Sequence, residues 1–138
     1  MDIITPVNGR LVIVDYKSTA DASTEAFMRS AVNYGYTFQS GMYLEGVCQN
    51  LYQTSLLSVL GTGEAPIFVF VAQEKTAPYA VNILQADELM IRRGYDIFRE
   101  LLGIYHECKV TDNWYGFLGP YNVINSLSLP AWLRKEVE

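Results

Sequence analysis

Three short spacings carry the side chains of this sequence that could do chemistry: Asp2, then Asp15-x-Lys17, then Gln39-x-x-x-Tyr43. Carboxylates brought to one place hold a divalent cation through hard oxygen ligands. A lysine beside such a cation can orient or deprotonate a water, or offset the charge that develops at a phosphoryl transition state. Side chains alternate across a strand, so Asp15 and Lys17 share a face if their segment is extended. Gln39 and Tyr43 face the same way if theirs is helical, and would complete the wall. Taken singly, each has a plainer reading. An isolated Asp-x-Lys is common by chance and is more often a surface pair. Tyrosine is more often core, and glutamine is more often simply exposed. Position lifts the combination, because Asp15 and Lys17 close the apolar run Leu11-Val12-Ile13-Val14.

Positioning these groups falls to a β-hairpin and a helix. Asp2-Ile3-Ile4-Thr5 runs into Pro6-Val7-Asn8-Gly9, an Asn-Gly turn signature, and Leu11 to Val14 follows as a β-branched strand. Pairing of the two strands would bring Asp2 within reach of Asp15. The first strand starts at the first residue with no lead-in, so part of the fold is expected to be missing or supplied by another chain. A short helix is predicted around residues 23–32, stopped by Asn33 and Gly35, and a second over about 37–48, with further helix around 52–60. Ile67 to Val71 is the strongest strand, and Tyr79 to Ile83 pairs with it. The best helix is Asp87 to about Lys109, where Asp87 suits an N-cap and Ile91, Tyr95, Phe98, Leu102 and Tyr105 recur at spacings of four and three. The stretch after it, with Trp114, Gly116, Gly119, Pro120 and Pro130, reads as mostly irregular. The order β-β-α-α-β-β-α predicts an α/β or α+β domain with a mixed sheet.

Length and composition bound the rest. The 138 residues make one ordinary domain, read as 1–138, and 50% hydrophobic content is enough for a real core. No apolar run reaches the roughly 18 residues that a membrane span needs. Cys48 and Cys108 lack a Cys-x-x-Cys spacing and read as reduced thiols, which with the absence of a signal peptide predicts a cytoplasmic location. The net charge of -5 argues against a nonspecific nucleic-acid coat but not against an enzyme acting on nucleic acid.

The segments IVDYKST and YGYTFQSGMYLEGV resemble the PD-(D/E)XK nuclease superfamily, specifically its RecE-type exodeoxyribonuclease VIII branch, related to RecB-like nucleases. FVFVAQEKTAPYAVNIL, GYDIFRELLGIYHEC, NWYGF and SLPAW are similar to the same branch in the same order, so the resemblance spans essentially the whole chain. It implies a restriction-endonuclease-like core, an α/β fold with a mixed central β-sheet flanked by helices. By the same resemblance the core is expected to be N-terminally truncated, the C-terminal portion of the family's catalytic domain. The family has a segment before its first aspartate, including a helix with further acidic or histidine residues near the metals. By resemblance, Asp2 matches the first metal-binding aspartate, Asp15 the second acidic ligand and Lys17 the catalytic lysine, while Gln39 and Tyr43 match the helix motif that lines the site. Tyr16 counts with Asp2 and Asp15 among the metal-binding positions. The implied activity is an exodeoxyribonuclease using Mg2+ or Mn2+, degrading one strand of linear double-stranded DNA from its 5′ end. The implied setting is phage or prophage-type recombination, as a ring-shaped homo-oligomer acting on double-stranded DNA ends beside a single-strand annealing recombinase, with no membrane.

Other candidates carry less. His106 has no second histidine or paired cysteine and reads as structural or solvated. Gly61-Thr62-Gly63-Glu64 lacks the lysine and hydroxyl residue of a phosphate loop and reads as a turn. Ser18 has no histidine partner for a triad. Arg92 and Arg93 could touch a DNA backbone but read first as a solvated helix face. Trp114 and Trp132 could stack on bases, yet covering an edge of the core is the simpler role. Two alternatives to the nuclease reading stand: a catalytically inactive remnant acting as an oligomerising or DNA-binding module, and Lys17 as a Schiff-base nucleophile.

Overall fold

In the computed structural model the described residues are 2–60, 65–117, 119–121, 124 and 126–128. The chain divides into two compact units, 1–101 and 102–138. The first unit is built on a four-stranded sheet in the order β1-β2-β3-β4, with β1 at Ile3–Val7, β2 at Arg10–Thr19, β3 at Ile67–Glu74 and β4 at Val81–Gln85. β1 and β2 form the expected hairpin, with Val7 paired to Arg10 across Asn8 and Gly9. Both turn residues have positive φ, 49° and 81°, which is the primed turn whose twist matches that of the strands it joins.

β2 lies parallel to β3, and β3 antiparallel to β4. The parallel pair needs a crossover, supplied by α1 (Thr24–Asn33), α2 (Tyr36–Val47), a π-helical turn (Cys48–Tyr52) and α3 (Leu56–Val59). Ser23 caps α1 through its Oγ, which accepts from the Ala26 N–H at 3.4 Å. Gly35, with φ of 70°, makes the sharp bend that starts α2 immediately after α1. The core forms on one sheet face, where Ile13, Phe68, Phe70 and Ala72 meet Phe27 of α1, Leu44 and Val47 of α2, and Leu56 of α3. The aromatic rings of Phe27, Phe68 and Phe70 pack at 5.0 to 5.5 Å between centroids. The opposite face carries Val14, Val69 and Val71, half-buried, with Val81 and Ile83 exposed.

The structure differs from the sequence reading at several places. β2 runs on through Asp15, Tyr16 and Lys17 to Thr19, because all eight positions from Val12 to Thr19 find partners on β3. β4 begins at Val81, two residues later than expected, and the helix after α2 is interrupted by the π turn. The long helix α4 spans Glu88–Thr111, with Asp87 Oδ1 accepting from the Met90 N–H at 2.7 Å. Its apolar stripe is buried only in the first part. Ile91 is buried and Phe98 packs on Phe38, whereas Leu102 and Tyr105, in the second unit, are exposed. In that unit Trp114 sets its edge against Tyr105 at 5.7 Å and is itself more than half exposed, so it lines an aromatic pair and does not cover a core. His106 is exposed, and Cys108 is buried. The Gly61–Glu64 turn, Pro130 and Trp132 lie outside the described residues. Among the described residues, no helix is long and apolar enough to cross a membrane.

Two glycines let α2 close on α4. A Cβ on Gly41 would run into the backbone of Gly94 and Tyr95, and one on Gly94 would run into the carbonyl of Thr37. That approach sets the height of the Gln39 and Tyr43 side chains over β2.

Candidate active site

Asp15 sits in the middle of the parallel pair, opposite Phe70 of β3, and is 1% exposed. A buried carboxylate is costly unless it is paired and hydrogen-bonded. Here Lys17, two residues along the same strand and on the same face, places Nζ 2.6 Å from Asp15 Oδ2. Gln39 Nε2 of α2 lies 3.4 Å from Asp15 Oδ1 and donates to Tyr43 Oη at 3.2 Å. Strand and helix thus aim four predicted residues at one point: Asp15, Lys17, Gln39 and Tyr43. The Gln39 amide, donating to the Tyr43 hydroxyl, holds that phenol below its ordinary pKa. The Tyr43 ring in turn stacks on Phe68, centroids 6.4 Å apart.

Asp2 lies just outside β1 and reaches the same strand by another route. Its N–H donates to the Val14 carbonyl at 2.9 Å, and its Oδ2 accepts from the Tyr16 N–H at 2.6 Å. The Asp2 carboxylate is therefore anchored on the peptide that follows Asp15. Tyr16 meets the Asp2 carboxylate through its main-chain N–H. Its side chain points to the opposite sheet face, half exposed, and donates its hydroxyl hydrogen to Gln73 Oε1 at 2.6 Å. The alternation that puts Asp15 and Lys17 on one face necessarily puts Tyr16 on the other.

Asp2 and Asp15 are the carboxylates of this cluster that could hold a small hard cation. Mg2+ is commonly bound by one or two carboxylates and keeps several waters. A carboxylate has about four lone-pair sites, so hydrogen bonding to neighbours is compatible with coordination. Among the described residues there is no group of three or more His, Cys, Asp or Glu side chains that could hold a metal ion.

Tyr36 is the site residue that the sequence reading missed. Lys17 Nζ sits 4.6 Å from the centre of its ring, a cation–π distance, and the ring rests against Phe27 and Phe70. Its signal was legible: Tyr36, Gln39 and Tyr43 fall at i, i+3 and i+7, one face of α2. Glu45 was also missed. It is buried on the far side of α2, where its carboxylate accepts from the Leu56 N–H at 2.7 Å and from Gln49 Nε2 at 2.9 Å. It ties α2 to α3 across the π turn. The Arg92 and Arg93 side chains are exposed on α4, and Arg92 pairs with Glu88 at 3.0 Å, as a solvated helix face would.

Comparison with known proteins agrees with this fold. A family model described as "PDDEXK-like domain of unknown function (DUF3799)" matches residues 1–123. Among solved structures, a protein from Eubacterium rectale titled "Putative exonuclease" is similar in fold, with a TM-score of 0.54 and 17% sequence identity over 90% of this chain. The chain spans 46% of that protein's length. No match was found among curated proteins. With a four-stranded mixed sheet, flanking helices and a family match over most of its length, the chain belongs to the PDDEXK-like domain family.

Proposed function

We propose that this chain is a divalent-metal-dependent nuclease that hydrolyses phosphodiester bonds of DNA, acting as an exonuclease on linear double-stranded ends. The observation that carries the reading is the convergence of Lys17 and Gln39 on the buried Asp15 carboxylate. Asp15 and Asp2 are the residues that would hold Mg2+ or Mn2+, which supplies Lewis-acid stabilisation of the phosphoryl oxygens and a more acidic water. In hydrolysis the water oxygen bonds to phosphorus, the bond to the leaving ester oxygen breaks, and a proton passes to that oxygen. Lys17, held at 2.6 Å from Asp15 and steadied by the Tyr36 ring, presents an ammonium to the charge that develops on the phosphoryl group. Gln39 fixes Asp15 in orientation, and Tyr43 fixes Gln39. Digestion from the 5′ end, a role in phage-type recombination, assembly into a ring and cooperation with a single-strand annealing recombinase complete the proposal. They are supported by the sequence resemblance.

The second reading is a non-catalytic module that keeps the fold and binds DNA or self-associates. One experiment separates them. Linear duplex DNA with 5′ phosphates is incubated with the chain and Mg2+ or Mn2+, beside Lys17→Ala. Cleavage that needs both metal and Lys17 is expected. A folded chain that binds DNA yet cleaves nothing would overturn the nuclease reading in favour of the second.

A further inference from the structure

Beyond Lys17, at the C-terminal end of β2, lies a cleft of about 410 Å3, lined by Ser18, Thr19, Ser30, Tyr34, Tyr36 and Lys75 among others. We propose that this cleft is a nucleotide subsite for the DNA strand that flanks the scissile phosphate, with Tyr34 stacking on a base and Lys75 contacting a backbone phosphate. The inference rests on the nuclease reading and names how its substrate is held.

The cleft is built for a mixed ligand. Its volume lies in the range of pockets that enclose one small molecule, about 300–1,000 Å3. Its lining offers hydroxyls and an ammonium, the groups that bind phosphate and sugar oxygens. It also offers Tyr34, which is 73% exposed. An aromatic ring left this open beside polar groups suits a base, because every base has a π-face.

The Tyr34 backbone is fixed and its ring has a neighbour. The Tyr34 N–H donates to the Ser30 carbonyl at 2.9 Å at the end of α1, and its ring meets Tyr36 at 6.0 Å. Tyr36 is the ring beneath Lys17, so one aromatic step joins the cleft to the lysine.

The loop that borders the cleft is braced before any ligand arrives. Ala22 N–H donates to Glu74 Oε1 at 3.1 Å, Asn82 Nδ2 donates to the Ala22 carbonyl at 2.9 Å, and the Lys75 N–H donates to the Thr19 carbonyl at 3.0 Å. These bonds tie the loop between β2 and α1 to β3, to β4 and to the start of the turn that joins them. The anionic member of the lining, Asp21, accepts from the Ser23 N–H at 2.8 Å, at the positive end of α1, which offsets its charge.

The test is binding, read apart from cleavage. A labelled single-stranded hexanucleotide is titrated by anisotropy against the full chain in chelator over a salt series. Tyr34→Ala is expected to weaken binding about five- to tenfold, the lower end of what base stacking is worth, with the salt slope unchanged. Tyr34→Phe should bind like the unaltered chain. Lys75→Ala should flatten the slope of log K against log salt by about 0.7, as for the loss of one phosphate contact on a single strand. An oligonucleotide lacking its bases should abolish the effect of Tyr34→Ala. Equal binding by Tyr34→Ala and the unaltered chain, a Tyr34 effect that persists without bases, or no binding at all would overturn the subsite. Tyr34-dependent binding without Lys17-dependent cleavage would leave the subsite standing and sink the nuclease activity.

Discussion

Gly41 and Gly46 lie on the same helix, and the structure predicts opposite outcomes for the same substitution at each. In α2 a glycine costs about 1 kcal/mol relative to alanine from backbone entropy alone. At Gly46 an added Cβ meets nothing within 4 Å, so Gly46→Ala should recover most of that and stabilise the chain by about 0.5–1 kcal/mol. At Gly41 the same methyl would overlap main-chain atoms of Gly94 and Tyr95, and no rotamer change can relieve a clash with backbone. Overpacking a core costs roughly 1–3 kcal/mol, and a rigid neighbour puts this case at the upper end. After subtracting the gain in propensity, Gly41→Ala should destabilise by about 2 kcal/mol. The two variants should then differ by about 3 kcal/mol. Urea unfolding at constant m measures this directly, with the midpoints separated by more than about 1 M. Moving α2 away from α4 also changes the reach of Gln39, which already stands 3.4 Å from Asp15, so DNA cleavage should fall with stability in Gly41→Ala and not in Gly46→Ala. A Gly41→Ala chain as stable as Gly46→Ala would show that the close helix approach does not set the height of the site, and the reasoning would fail.

Three further outcomes follow from the same geometry. Lys17→Ala should lower cleavage by at least about a hundredfold, as removing an electrostatic stabiliser does, and it should also lower the unfolding midpoint, because the buried Asp15 carboxylate loses its ion-pair partner. Tyr36→Leu should lower cleavage and move the Lys17 ε-methylene NMR signal out of its ring-current-shifted position, whereas Tyr36→Phe should restore both, because the ring holds the ammonium and the hydroxyl does not. Burial, with the Glu45 carboxylate nearby as a smaller cause, pushes the Cys48 thiol up from 9.0 to about 11. A raised folded-state value means that the folded chain keeps this proton where the unfolded chain loses it. Stability from Cys48 is therefore complete below about pH 9 and is lost toward pH 11, and Cys48→Ala should flatten the fall in unfolding free energy across that window.

Much of the site could be read from the chain itself, since it depends on short-range periodicity. Alternation along a strand is enough to put Asp15 and Lys17 on one side, and a spacing of four is enough to align Gln39 with Tyr43. Asn8-Gly9 determined the hairpin, because both residues tolerate positive φ. Asp87 announced the start of α4 through its capping side chain. What the chain alone left open was everything set by non-local contact. That β2 continues through Lys17 to Thr19 follows from its parallel ladder with β3, more than fifty residues away. That Tyr36 lies under Lys17 depends on where the crossover sets α2 over the sheet. That Gly41 must be a glycine depends on Gly94, on another helix. Local propensities specify which way a side chain faces, but only packing between distant segments decides what it faces, and here that difference turns an Asp-x-Lys pair into a candidate active site.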